Sequence, residues 1–380
     1  MKFKEVIGQE EAQQRLIQMV REGRVPHAMM LCGPMGSGKM ALALAFASYL
    51  LCKNSKESDD SCGSCPQCAM LRSWSHPDLL FTYPVIKPPG SSSDHKTVSD
   101  DYAREWRELL SEGPYFNMDQ WLEKMNAGNQ QALIYVAESE VLIRKLSIKS
   151  SQGGYKVNII WLPERMREDC ANKMLKIIEE PPQQTVFIMV CEEPERLLET
   201  IRSRVQRIDI KRIDTSSIEK ALVERRAIDN DMAHRIARVA NGDWLKALEE
   251  LDASNENHQF LDLFILLMRQ AYMRNVKELR SWSENVAALG RERQKRMLVY
   301  FQHLVRENFM YNFHNPELIY MTTAEEAFAR NFARFINEAN VIEINDIFGT
   351  AIRDIGQNGN PKMVFYDLAI KTIVAISPRG

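Results

Sequence analysis

The spacing of apolar residues changes character along this chain. Residues 9–21 place Ala12, Leu16, Met19 and Val20 on one face of a helix. Ala28–Cys32 is an unbroken apolar run, the pattern of a short buried strand. It leads into a glycine loop and then into 41–52, apolar nearly all round and so predicted as a buried helix. Short helices are expected at 101–111 and 118–126, and a longer one at 137–147 carrying Val141, Leu142, Ile143 and Leu146. Residues 156–162 and Thr185–Cys191 read as continuous apolar strands. Between them a helix over 166–180 sets Met166, Cys170, Met174 and Ile178 at four-residue spacing and is stopped by Pro181-Pro182. Helix 194–203 and strand 206–210 close this part. From about 213 no strand pattern appears and helical segments run to the end, with breaks at Asn241-Gly242 and at 254–258 (SNENH).

Strands alternating with helices, and apolar along their length, imply an α/β unit with a parallel sheet covered on both faces. Helices alone follow. The expected boundaries fall near 212 and 255, giving units over 1–212, 213–255 and 256–380. A chain of 380 residues accommodates two or three domains at ~100–200 residues each. Residues 87–100 (KPPGSSSDHKTVSD) lack periodicity and read as a loop. Four cysteines gather within 52–68, whereas Cys32, Cys170 and Cys191 sit singly in apolar contexts and are expected in the core.

Charge narrows the classes of function. The formal net charge is −2, without the basic surplus of a free-standing DNA binder, so any DNA contact is local or shared with partners. The longest apolar run falls short of the ~20 residues a membrane span needs. The first residues, MKFKEVIGQEEAQQRL, have no apolar core of a signal peptide. A cytoplasmic location with no membrane contact is expected.

The loop Gly33-Pro34-Met35-Gly36-Ser37-Gly38-Lys39-Met40 fits a phosphate loop and then departs from it. The glycines, Gly33, Gly36 and Gly38, let backbone N–H groups curl around phosphate oxygens, and Lys39 would reach the β- and γ-phosphates of ATP or ADP. The next position ordinarily holds Ser or Thr, whose hydroxyl binds Mg²⁺. Here it is Met40, and a thioether is a poor ligand for a hard cation. A second Mg²⁺ anchor, an acid at the end of another strand, is also missing. The strand over 156–162 ends in Trp161 and Leu162, with Glu164 two residues beyond. Nucleotide can still bind such a loop, but hydrolysis is not expected.

The second chemical feature is Cys52-x9-Cys62-x2-Cys65-x2-Cys68. Four thiolates at this spacing suit a tetrahedral, structural Zn²⁺; an iron–sulfur cluster is the alternative. With the cysteines filling the site, His76 and His95 are expected at the surface, and Trp106 and Trp121 in packing rather than stacking on nucleic acid.

These motifs, together with VIGQ at 6–9, HPD at 76–78, NKMLKIIEEPP at 172–182, PERLLETIRSR at 194–204 and NGNPK at 358–362, resemble the bacterial DNA polymerase III clamp-loader family, in particular its delta-prime branch. The resemblance is strong over 1–210 and weaker beyond. It implies an AAA+ nucleotide-binding-type core over 1–212, a helical lid over 213–255 and a helical collar over 256–380. It favours zinc over iron. It implies gamma/tau-type ATPase subunits, a delta subunit, the sliding clamp and primer–template DNA as partners. It also implies that Arg204, in Ser203-Arg204-Val205, acts as an arginine finger in a neighbouring subunit's ATP site. Where active members carry a lid arginine this chain has Leu245, with Lys246 beside it. The expected role is a non-hydrolysing member of the assembly. The competing readings are an active AAA+ ATPase of another DNA-processing complex and a zinc-dependent DNA-binding module. Residues 82–130 form a longer insertion than the family leads one to expect, without an evident function.

Overall fold

The computed structural model describes residues 1–55, 58–92, 94–151, 153–313 and 321–376. It resolves into two compact units, Met1–Glu250 and Leu251–Gly380.

The first unit is built on five parallel strands: β1 (Ala28–Cys32), β2 (Leu79–Thr82), β3 (Lys156–Trp161), β4 (Thr185–Cys191) and β5 (Gln206–Asp209). Their order across the sheet is β2-β3-β4-β1-β5, and β1, β3 and β4 are buried at every residue. The register sets Cys32 beside Cys191 and Trp161 beside Val190, so the loops after β1, β3 and β4 leave from one edge. In open parallel sheets that carboxyl edge is where ligands bind.

Alternate side chains serve two cores. Met29, Leu31, Ile159, Trp161 and Ile188 face α1 (Glu10–Arg21) and α2 (Lys39–Leu51), whereas Met30, Cys32, Ile160, Phe187 and Cys191 face the opposite side. After α3 (Pro66–Arg72), α4 (Ala103–Glu112) and α5 (Met118–Lys124) come α6 (Val136–Ser147) and α7 (Glu168–Glu179), which cover that second side. Cys170 is buried there, as expected of a core cysteine. Then follow α8 (Glu199–Arg202), α9 (Thr215–Arg226), α10 (Asn230–Ala240) and the start of α11 (Trp244–Tyr272). Among the described residues no strand follows β5.

The 82–130 insertion is part of this core. Trp106 lies at the centre of an aromatic cluster, stacked on Tyr83 at 4.0 Å and meeting Trp121, Phe116 and Trp161 at 5.2, 5.5 and 5.4 Å between ring centroids. Trp121 donates its indole N–H to the Pro84 carbonyl at 2.7 Å. Burying rings of this size contributes ~1.5–3 kcal/mol each, so both tryptophans stabilise the fold.

Several expectations need correction. β2 has only four residues between Asp78 and Tyr83-Pro84, too short for its pattern to stand out. The 166–180 helix begins at Glu168, because Met166 bridges to Ile134 instead. The 194–203 helix splits into a 3-10 turn at Pro194–Arg196 and α8. His76 is buried, not at the surface, while His95 is exposed and bonds Asp101 at 2.9 Å. Residues 254–258 lie inside α11. The segment has neither Gly nor Pro, and Ser and Asn inside a helix cost well under ~1 kcal/mol each. The break at Asn241-Gly242 is real: Asn241 is left-handed (φ 48°), and a side chain at Gly242 (φ 82°) would strike the Arg212 Cβ at 2.5 Å.

The second unit is helical among its described residues. It contains the rest of α11, α12 (Val276–Ala287), α13 (Arg291–Tyr311), α14 (Thr323–Phe332), α15 (Val341–Gly356) and α16 (Pro361–Ile376). Phe264, Phe301 and Phe348 form its centre, with Trp282 edge-on to Phe365.

Candidate functional site

The loop between β1 and α2 has the phosphate-loop shape. A Cβ at Gly33 would lie 2.3 Å from the Ile210 carbonyl oxygen, and Gly36 and Gly38 take left-handed φ of 70° and 85°. Lys39 opens α2 but is only 4% exposed. Its ammonium donates to the Pro34 carbonyl at 2.5 Å and to Glu192, at the end of β4, at 3.4 Å. Burial pulls the Lys39 pKa below its ordinary value and pushes that of Glu192 up; the attraction between the two opposes both shifts. A protein carboxylate thus faces the lysine.

The space above the loop is filled by protein. Among the described residues, the cavity bounded by Gly36, Lys39, Tyr115, Phe116, Trp161 and Leu245 has a volume of about 20 Å³. That is room for about one water. Tyr115, from the insertion, lies 3.3 Å from where a Gly38 Cβ would be, accepts the Ile7 N–H at 2.9 Å, and has its hydroxyl pushed up to about 12 by burial. Asp243 closes on Gly36 so tightly that a Cβ there would sit 1.7 Å from its carboxylate. The same Asp243 caps α11 by accepting the Leu245 and Lys246 amides at 2.9 and 3.2 Å. The Trp244 N–H takes the Gly36 carbonyl at 3.2 Å, and the Gln9 amide takes that of Ser37 at 3.0 Å.

The missing metal anchors are structurally committed as well. Met40, Trp161, Leu162 and Leu245 are all buried. Glu164, the nearest acid after β3, accepts the Glu192 and Glu193 amides at 2.9 and 3.1 Å through one oxygen. Through that oxygen it pins the β4 loop; its other oxygen, Oε2, is buried.

Cys52, Cys62, Cys65 and Cys68 converge. Their sulfurs lie within 4.8 Å of one another, and Cys62 Sγ is 3.9 Å from Cys68 Sγ. Four ligands at a Zn–S length of ~2.3 Å require S···S separations of roughly 3.8 Å, so the set fits a tetrahedral ion. Backbone N–H groups point at the sulfurs: Cys62 to Cys52, Cys65 to Cys62 and Cys68 to Cys65, at 3.3, 3.4 and 3.5 Å. The amides of Ser64 and Cys65 hold the Cys62 thiol down at about 6, while burial pushes those of Cys52 and Cys68 up. Such N–H···S contacts are the outer support that orients metal-binding thiolates. The module also ties down the N-terminus. Asp60 accepts the Phe3 and Lys4 amides at 2.9 and 3.2 Å, and Lys2 donates to the Cys62 carbonyl at 3.2 Å.

Arg204 follows α8 with its side chain 39% exposed. It is ion-paired with Glu179 at the end of α7 and donates to the Thr200 carbonyl at 2.8 Å. It lies apart from the chain's own phosphate loop in the sequence, and its guanidinium makes none of the contacts around Lys39 described above.

Glu192, Tyr115, Phe116 and Asp243 were not evident in the sequence. Glu192 directly follows a strand, the one local signal for a residue at the carboxyl edge. The others reach the loop from distant segments that carry no pattern of their own.

The family model described as "DNA polymerase III, delta subunit" matches residues 8–214. DNA polymerase III subunit delta' of Yersinia pestis is 30% identical over 184 residues, 48% of this chain and 41% of the relative. DNA polymerase III subunit gamma/tau of Mycobacterium tuberculosis (strain ATCC 25618 / H37Rv) is 29% identical over 202 residues, 53% of this chain and 27% of the relative. The match thus spans less than half the length of either relative. Among solved structures, a DNA polymerase III gamma subunit-related protein from Thermotoga maritima aligns over 97% of this chain and 99% of its own, at 15% identity and a TM-score of 0.35.

Proposed function

This chain belongs to the DNA polymerase III delta-subunit family, and from that premise we propose that it is a delta-prime-like clamp-loader subunit that does not hydrolyse ATP. Its task is to help place the sliding clamp on primer–template DNA, alongside gamma/tau-type ATPase subunits and a delta subunit in the cytoplasm. The core over 1–212 and the lid over 213–255 form the AAA+ part, and 256–380 the collar that joins the assembly. The four cysteines hold a structural Zn²⁺, and Arg204 serves a neighbouring subunit's ATP.

The observation that carries the non-hydrolysing reading is the filled phosphate loop. The ~20 Å³ left above Gly36 and Lys39 cannot admit a triphosphate, and Met40 and Trp161 stand where metal ligands are needed. An active ATPase would have to recruit Glu164 and Glu192 as metal ligands after expelling Tyr115 and Asp243 from the loop.

Phosphate release by the chain alone separates the two readings. No turnover above the buffer rate is expected with ATP and Mg²⁺ at millimolar concentration; metal-dependent turnover that disappears in Lys39→Met would overturn the reading. In the full assembly Lys39→Met is expected to leave ATP turnover unchanged within about twofold. It should instead lower the chain's stability by about 1–2 kcal/mol, because Glu192 loses the cation beside it. Adding Glu192→Gln should restore most of that loss in a denaturant titration.

A further inference from the structure

The second unit carries an open groove of about 570 Å³ between α15 and α16, which are joined through 357–360 as a helical hairpin. Its floor includes the partly buried Ile347 and Val364. Its lips are apolar out into solvent: Ile342 on α15 is 71% exposed, and Met363 and Val374 on α16 are 71% and 62% exposed. Met363 and Val374 share a helical stripe with Asp367 and Lys371, which line the groove, at four- and three-residue spacing. On its other face α16 buries Phe365, Leu368 and Ala369 within the unit. The helix is thus apolar on two faces, and only one is covered. A helix apolar nearly all round is ordinarily buried all round, and exposed apolar side chains rimmed by polar ones mark an interaction site.

Charge says what kind of partner fits. Among the described residues the groove is lined by five acids, Glu338, Glu343, Asp346, Asp354 and Asp367, against one base, Lys371. Lys371 pairs with Asp367 at 2.6 Å. Arg353 stands beside the lining and donates to the Thr350 hydroxyl at 3.1 Å, so the acids remain in excess. Glu338, Asp346 and Asp354 make no ion pair among the described residues. A partner that covers Ile342, Met363 and Val374 must bring cations to these carboxylates or leave them desolvated and unpaired, which is costly. The space suits a straight helix. α15 and α16 have 16 residues each, ~24 Å at ~1.5 Å per residue, or about four turns. We propose that the groove receives a basic amphipathic helix of a partner protein. Its apolar stripe lies on Ile342, Ile347, Val364 and the α16 lip, and Lys or Arg on its flanks faces Glu338, Asp346 and Asp354. The proposal concerns the second unit alone and does not depend on the clamp-loader reading.

The probe is a fluorescein-labelled synthetic helix of about four turns, with Leu along one stripe and Lys on both flanks, titrated with the full chain and read by anisotropy. Two controls accompany it: the same peptide with Glu in place of Lys, and the Lys peptide scrambled so that no stripe remains. Binding of the Lys peptide at micromolar concentration is expected, with both controls at least about tenfold weaker. Ile342→Ser removes an apolar lip, and the double variant Glu338→Lys/Asp346→Lys reverses the charge of the rim. All three side chains are exposed, so the melting temperature of each variant should match that of wild type. Each variant is expected to weaken binding about tenfold, and the charge reversal should also remove most of the salt dependence. No binding of the Lys peptide at millimolar concentration, equal binding of either control, or binding unchanged by both variants would overturn the proposal. Self-association of the wild-type chain in analytical ultracentrifugation that Ile342→Ser abolishes would overturn it too, because the groove would then belong to a second copy.

Discussion

An assembly reconstituted with Arg204→Ala is expected to form normally and to hydrolyse ATP about 10³-fold more slowly at the site Arg204 serves, the lower end of the ~10³–10⁵ range for arginine fingers. A guanidinium at the γ-phosphate stabilises charge that develops only in the transition state, so the loss should fall on kcat rather than on nucleotide affinity. Arg204 suits this role because its backbone is set by α8 and its guanidinium is held by Glu179 and the Thr200 carbonyl, yet its side chain remains 39% exposed. Arg204→Lys keeps the charge without the planar fork and should recover little of the rate. Glu179→Gln is the companion variant. It releases the arginine from its ion pair, and a finger that must swing to a neighbour should then retain most of its activity. Full turnover with Arg204→Ala in an intact assembly, confirmed by size-exclusion chromatography, would reduce the residue to a surface ion pair.

The other large effect expected is that of removing the metal. Protein purified without chelator should contain one equivalent of zinc, and Cys68→Ser should lose it. Zinc contributes ~10–16 kcal/mol to the folding of isolated finger peptides. Even a quarter of that, about 3 kcal/mol, corresponds to a Tm drop of roughly 6–12 °C at ~2–4 °C per kcal/mol for a unit of this size. The loss should also be local in a recognisable way. Asp60 lies between Cys52 and Cys62 and holds the Phe3 and Lys4 amides. Those two amides should lose hydrogen-exchange protection along with the module, while the buried strands β1 and β4 keep theirs. Zinc-free protein with unchanged Tm and unchanged exchange at Phe3 and Lys4 would show that the four cysteines need no ion.

Residue type at fixed spacing made part of the fold and site legible before the structure. β1 and β4 are apolar at almost every position, and β3 at all but Lys156 and Asn158, so their burial on both faces followed largely from pattern. Four thiols within 17 residues carry their chemistry in their spacing, and their convergence in space was legible for that reason. The departures at Met40, Trp161 and Leu162 likewise state in the sequence which ligands are missing. What fills the gap was not legible. Tyr115 reaches Gly38 from 77 residues away, and Asp243 reaches Gly36 from beyond 200, through contacts that leave no periodicity. His76 was misplaced because a single histidine in a segment without periodicity does not reveal that its ring is buried, with Nδ1 accepting the Asp78 amide. The helix through 254–258 was missed because a polar run without Gly or Pro is weak evidence for a break.

ATP-dependent loading of the sliding clamp onto primed DNA, measured with gamma/tau-type and delta-type subunits in the presence and absence of this chain, tests the central claim most directly. Loading that requires the chain, and proceeds equally with wild type and Lys39→Met, is the expected result. Loading at the same rate without the chain would contradict the account.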